Sequence, residues 1–145
     1  MNLRSSIIAI ICTLCMAFFS IAIAKQTDAV EVQNFADPMT ESLLQAMNKD
    51  DYDKFSKDFS NEMRQALTEE NYNKQIGTIK GKIGVYISGS KEFIGKQFNN
   101  QDILVNYKAT FSEEADSVLV TVVFRHNAHE NIISGLWFNS PKLRS

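Results

Sequence analysis

The chain has 145 residues, with 15 basic against 17 acidic side chains and a net charge of −2. That balance lacks the basic excess a nucleic-acid partner needs, so no nucleic acid is expected. Apolar residues make up 44% of the chain, enough for one packed core.

Residues 1–24 read as a targeting segment. Arg4 supplies a positive start, residues 7–24 carry no charge, and Ala22-Ile23-Ala24 precedes Lys25 as a small-residue cleavage pattern. The expectation is a secretory signal peptide and a secreted, periplasmic or extracellular product. The alternative is an uncleaved N-terminal helix, which would anchor the chain to a membrane. Cys12 and Cys15 form a C-x-x-C pair but fall inside this segment. Ile11 and Leu14 stand where a lipidated cysteine would need a small neighbour. The 121 residues after the cut contain no cysteine, so the mature domain must be held by its core alone.

Residues 25–35 are a polar lead, either flexible or the start of a first helix. One domain is expected over 36–139, with 140–145 as a C-terminal tail. Asp37 suits a helix cap and Pro38 the first helical position. Met39, Leu43, Leu44 and Met47 then share a face. Asp50 or Asp51 caps a short second helix carrying Tyr52, Phe55 and Phe59. Ser60 starts another turn with Met63 and Leu67. Thr68 caps a longer helix whose first turn holds Glu69 and Glu70, favoured by the helix dipole. Tyr72, Ile76 and Ile79 are its apolar face, and Gly77, Gly81 and Gly84 weaken its end.

From Val85 the period becomes two. Residues 85–87 and 92–98 predict a strand interrupted at Ser88-Gly89-Ser90, a candidate bulge. Strands follow at 103–111, 117–125 and 131–138, joined by short turns, which makes an antiparallel meander. Helices followed by strands predict an α+β fold with helices on one face of the sheet. The strands at 117–125 and 131–138 are apolar on both sides, so the outer face calls for a cover, either the chain's own ends or a second copy. In the last strand, simple alternation puts Ile133, Gly135 and Trp137 on one side and Ile132, Ser134, Leu136 and Phe138 on the other.

The stretch FADPMTESLLQAMNKDDYDKFSKDFSNEMRQALTEENYNK, with ISGLWF after the strands, resembles the secreted domain-of-unknown-function 3887 family, which has a nuclear-transport-factor-2-like, or cystatin-like, cone fold. The resemblance covers residues 29–139. Its most specific pieces are Ala36-Asp37-Pro38, the Tyr52, Phe55 and Phe59 spacing, Met63, and Gly135-Leu136-Trp137-Phe138. It implies a curved antiparallel sheet wrapped on helices, with a cavity at the open end. The family has no agreed catalytic residues, so none is carried over.

Candidate chemistry is sparse. His126, His129 and Glu130 sit in a turn and match no zincin spacing, so no metal is expected. Residues 77–83 faintly echo a phosphate loop, one residue short and with Ile83 in place of the hydroxyl, and read better as a helix end. Glu92 is the one acid inside a predicted strand and reads as an exposed ion-pair member. Asp37 reads as a cap. The residues that could line a pocket are Tyr52, Phe55, Phe59, Tyr72, Tyr107, Gly135 and Trp137. The catalytic residues are unknown and no cofactor is indicated. The leading reading is an exported non-catalytic binding or accessory domain with an apolar pocket between helices and sheet. Its partner would be a small apolar ligand or an envelope protein. The alternatives are a hydrolase- or isomerase-like enzyme using the same cavity, and a structural homodimer or partner-binding protein.

Overall fold

The computed structural model describes residues 30–126 and 130–145. The segment 1–24 with its two cysteines, His129 and the side chain of His126 lie outside the described residues. The chain divides into two compact units at Asn34/Phe35. Of the first unit, residues 30–34 are described and are helical. The second, Phe35–Ser145, carries the rest of that helix and every later element.

Helix α1 covers residues 30–48. Asp37 and Pro38 therefore lie inside a helix, which corrects the expected cap. The reason is tertiary: the Asp37 carboxylate is taken by the Tyr107 hydroxyl, which donates to Oδ1 at 2.8 Å. The other caps are local and stand where the sequence places them. Asp51 accepts from the Lys54 amide at the start of α2, Tyr52–Ser56. Ser60 accepts from the Met63 amide at the start of α3, Asn61–Ala66. Thr68 accepts from the Asn71 amide at the start of α4, Glu69–Ile83. Gly77 and Gly81 do not end α4; it runs on to Gly84, whose φ of 79° stops it.

Residues 85–87 form no strand. Tyr86 makes an isolated antiparallel bridge to Phe111 instead. Four strands follow: β1 Glu92–Asn99, β2 Asp102–Ala109, β3 Val118–His126 and β4 Asn131–Asn139. They pair in sequence order as an open antiparallel meander. The fold is α+β, as the pattern predicts. Residues 140–145 are more than a tail: Ser140 caps a short helix α5, Pro141–Arg144, accepting from the Leu143 amide.

Two irregularities shape the sheet. The ladder of β1 on β2 slips between Phe93 and Gly95, so the bulged residue is Ile94 and not the Ser88–Ser90 turn. The ladder of β3 on β4 slips where Phe124 pairs Ile133 while Val123 pairs Gly135, leaving Ser134 extra. This corrects the alternation read from the sequence. Ile133, Leu136 and Phe138 now share the inner face with Phe124, Val122 and Val120, their partners in the register. Ile132, Gly135 and Trp137 turn outward. The inner face packs Val105, Tyr107, Val120, Val122 and Phe124, all fully buried, and the Phe35 ring of α1 meets Phe124 edge-on at 5.4 Å.

Gly84 tests the join between helices and sheet. A Cβ there would sit 2.1 Å from Ser112 Oγ and 2.8 Å from the Glu113 nitrogen, at a φ/ψ of 79°/−154° that glycine alone adopts readily. Gly84→Ala is expected to destabilise the protein by about 3 kcal/mol, read as a lowered denaturant midpoint with an unchanged slope.

Candidate functional site

The seven residues proposed to line a pocket fall into three places. Tyr52, Phe55, Phe59 and Tyr72 form one aromatic cluster, with ring centroids 5.4 Å apart for Tyr52 and Tyr72, 5.2 Å for Phe55 and Phe59, and 4.7 Å for Phe55 and Tyr72. The rings meet at tilted or edge-on angles, and Phe55, Phe59 and Tyr72 are buried. Phe59 also borders a solvent-open cleft of about 350 Å³ beside Lys57, Arg64 and Ile132. Tyr107 lies on the inner face of β2, fully buried, with its hydroxyl on Asp37. Gly135 and Trp137 are on the opposite face of the sheet.

Glu92 is exposed and directly opposite Lys108 in the ladder. The glycines of residues 77–83 lie within α4, where helical bonding occupies the backbone amides a phosphate would need. Among the described residues no cluster of three metal-ligating side chains occurs.

A polar network not visible in the sequence joins α1 to the sheet. Glu41 on α1 accepts from the Tyr86 hydroxyl at 2.7 Å, from Gln45 Nε2 at 2.9 Å and from the Gly89 amide at 2.9 Å. The Lys91 ammonium lies 3.8 Å from the same carboxylate and 5.3 Å from the centre of the Tyr107 ring. Burial alone would raise the Glu41 carboxyl, but the bonds from Tyr86, Gln45 and Gly89 together with Lys91 outweigh it and hold it below its ordinary value. Burial, then the bond to Glu41, pushes the Tyr86 phenol up to about 12. Burial, then the bond to Asp37, pushes Tyr107 higher still. A general acid or base for neutral solution needs a pKa near 7. These groups are moved away from it, so the network works as a clamp between α1, the loop at Gly89 and the sheet.

The outer face of the sheet is the remaining candidate. Its register forms four cross-strand rows. The two end rows carry charge: Asp102 and Arg125 are bonded at 3.0 Å, and Glu92 faces Lys108. The two middle rows are neutral. One runs Gln97, Leu104, Val123, Gly135 and the other Gly95, Asn106, Thr121, Trp137. Trp137, the only tryptophan, is 58% exposed. Its indole leans back along β4, and a Cβ on Gly135 would lie 2.5 Å from both Cη2 and Cζ3. Gly135 is therefore glycine because the indole occupies the space a side chain would take. Beside it the Thr121 hydroxyl donates to Asn106 Oδ1 at 2.7 Å.

The chain was compared with protein-family models, curated proteins and solved structures, and none of them matches.

The raised phenols of the clamp and of the aromatic cluster predict alkaline behaviour. Tyr72, Tyr86 and Tyr107 have phenols raised above the ordinary value of about 10. A raised pKa means the folded state holds the proton more tightly, so this stability is complete below about pH 10 and is lost as pH rises toward 12. Tyrosinate absorbance should appear together with loss of the fold, and Tyr86→Phe should weaken the pH dependence of that transition.

Proposed function

We propose that the chain is an exported, non-catalytic binding domain of the nuclear-transport-factor-2-like cone type, akin to the domain-of-unknown-function 3887 family, and that it binds through the outer face of its sheet at Trp137. The observation that carries this is an indole 58% exposed on a strand, seated in a space kept free by Gly135. Large aromatics at such positions favour contact with a partner over contact with water. Two further points support the reading. The α+β order and the four-stranded antiparallel meander fit a cone. Among the described residues, every titratable group with a resolved shift moves away from neutrality: Glu41, Asp51, Glu62 and Glu114 down, Tyr72, Tyr86, Tyr107 and Arg125 up. The charge-free run and Ala22-Ile23-Ala24 pattern of residues 1–24 support export, which is part of the proposal, as is release from the membrane by cleavage after Ala24.

Trp137 is also the reporter. Its emission should be that of a solvent-facing indole, open to a neutral quencher. Trp137→Ala should cost no more than about 1 kcal/mol, against about 3–5 kcal/mol for Phe124→Ala in the buried inner face. Gly135→Ala should lift the indole and change its emission while the fold persists. If Trp137→Ala cost as much as Phe124→Ala, or if the indole were closed to quencher, Trp137 would be packing and the binding face would be lost as a proposal.

A further inference from the structure

We propose that the outer face binds a neutral glycan, an unbranched chain of pyranose rings laid across the strands along the row Trp137, Thr121, Asn106, Gly95. This rests on the reading of the outer face as a binding surface and names its ligand.

Charge gives the first argument. The acids and bases of the outer face stand at its two ends and are matched within each end: Asp102 with Arg125, Glu92 opposite Lys108. The middle rows carry no charge at all. A polyanion or polycation finds no uncompensated charge of opposite sign there, whereas a neutral ligand loses nothing by covering the centre.

Hydrogen bonding gives the second. The Thr121 hydroxyl spends its proton on Asn106 Oδ1. Its oxygen lone pairs then accept, and the Asn106 Nδ2 protons donate, no other described residue taking them. An acceptor and a donor side by side suit a sugar hydroxyl, which does both. Trp137 supplies the apolar complement, since the axial C–H faces of a pyranose pack against an indole. An apolar ligand would leave the Asn106 Nδ2 protons covered without an acceptor, at a cost.

Shape gives the third. Strands are spaced about 4.8 Å apart, so Asn106 on β2 lies about 10 Å across the sheet from Trp137 on β4. Because the indole leans over Gly135, a sugar ring on it sits one row away, and the next ring reaches the Thr121–Asn106 pair diagonally, one strand across. Beyond them Gly95 has nothing within 4 Å of where a Cβ would be, so the floor stays open for the chain to continue over β1.

The test uses the full chain in a zwitterionic detergent without a sugar headgroup. Affinity electrophoresis in gels containing soluble β-glucan, mannan or glycol chitin is run beside gels containing dextran sulfate, and Trp137 emission is titrated with the matching hexasaccharides. Expected are retardation by at least one neutral polymer, none by dextran sulfate, and a blue shift of emission on binding. Trp137→Ala should weaken retardation at least 10-fold, and Asn106→Ala and Gly95→Leu about 3- to 10-fold. Phe98→Ala, an exposed aromatic whose partner in the ladder is the inward-facing Ile103, should leave it unchanged. No retardation and no emission change with any neutral glycan overturns the proposal. So does retardation that survives in Trp137→Ala, or a concentration-dependent dimer that Trp137→Ala dissolves, which would assign the face to a second copy. These results leave the binding-face reading to its own test, the stability cost and quencher access of Trp137.

Discussion

A single extra residue, Ser134, decides what each half of β4 does. Without the bulge, Ile133 would share a face with Gly135 and Trp137. Facing that set inward would turn Leu136 and Phe138 out; facing it outward would expose Ile133. Each large apolar side chain is worth roughly 2 kcal/mol buried, while a disrupted ladder bond costs about 1 kcal/mol. The bulge avoids both losses. The Ser134 hydroxyl is spent on the Val123 carbonyl at 3.4 Å. The outer edge of β4 is covered at the same level, where the Ile133 amide donates to Asp58 O at 2.7 Å and the Ser60 amide donates to Ile133 O at 2.8 Å. The junction of α2 and α3 thus seals the strand where its ladder is weakest.

The polar clamp under α1 works with the same economy. Asp37 and Glu41 lie one turn apart on the helix, and each accepts a tyrosine proton, from Tyr107 on β2 and from Tyr86 in the loop after α4. An apolar helix face could slide along the sheet with little penalty. Two carboxylates matched to two phenols cannot, because a slip would leave buried polar groups unpaired. The clamp fixes α1 against the inner face while the outer face stays free of it.

Much of this was readable where the cause was local. Asp51, Ser60 and Thr68 cap helices through their own next turn, and the alternation of β2 and β3 shows directly in the residues. What could not be read depends on partners far along the chain. Asp37 looks like a cap beside Pro38 until Tyr107, 70 residues later, takes its carboxylate. Glu41, Tyr86 and Lys91 have no motif in common and meet only in the fold. In β4, Ile-Ile-Ser-Gly-Leu-Trp-Phe is apolar on either side of a strict alternation, so nothing local marks the bulge. Hence the sequence grouped Trp137 with the aromatics of α2 and α4, when it belongs with Asn106 and Thr121.

The exposure of Trp137 also bounds how strongly the outer face can hold a partner. An indole buries up to about 250 Å². Covering its free 58% at about 25 cal/mol per Å² gives roughly 3–4 kcal/mol before any cost of association. Alone that corresponds to millimolar binding at best. Asn106 and Thr121 add about 1 kcal/mol each, because water competes for them. A small, free ligand would therefore bind weakly on this face. A repeating one would not: a polymer brings the next unit to the same row at high local concentration, and a single modest platform becomes sufficient. The neutral, open floor at Gly95 permits that continuation, and the two charged end rows define the lane along which it would run.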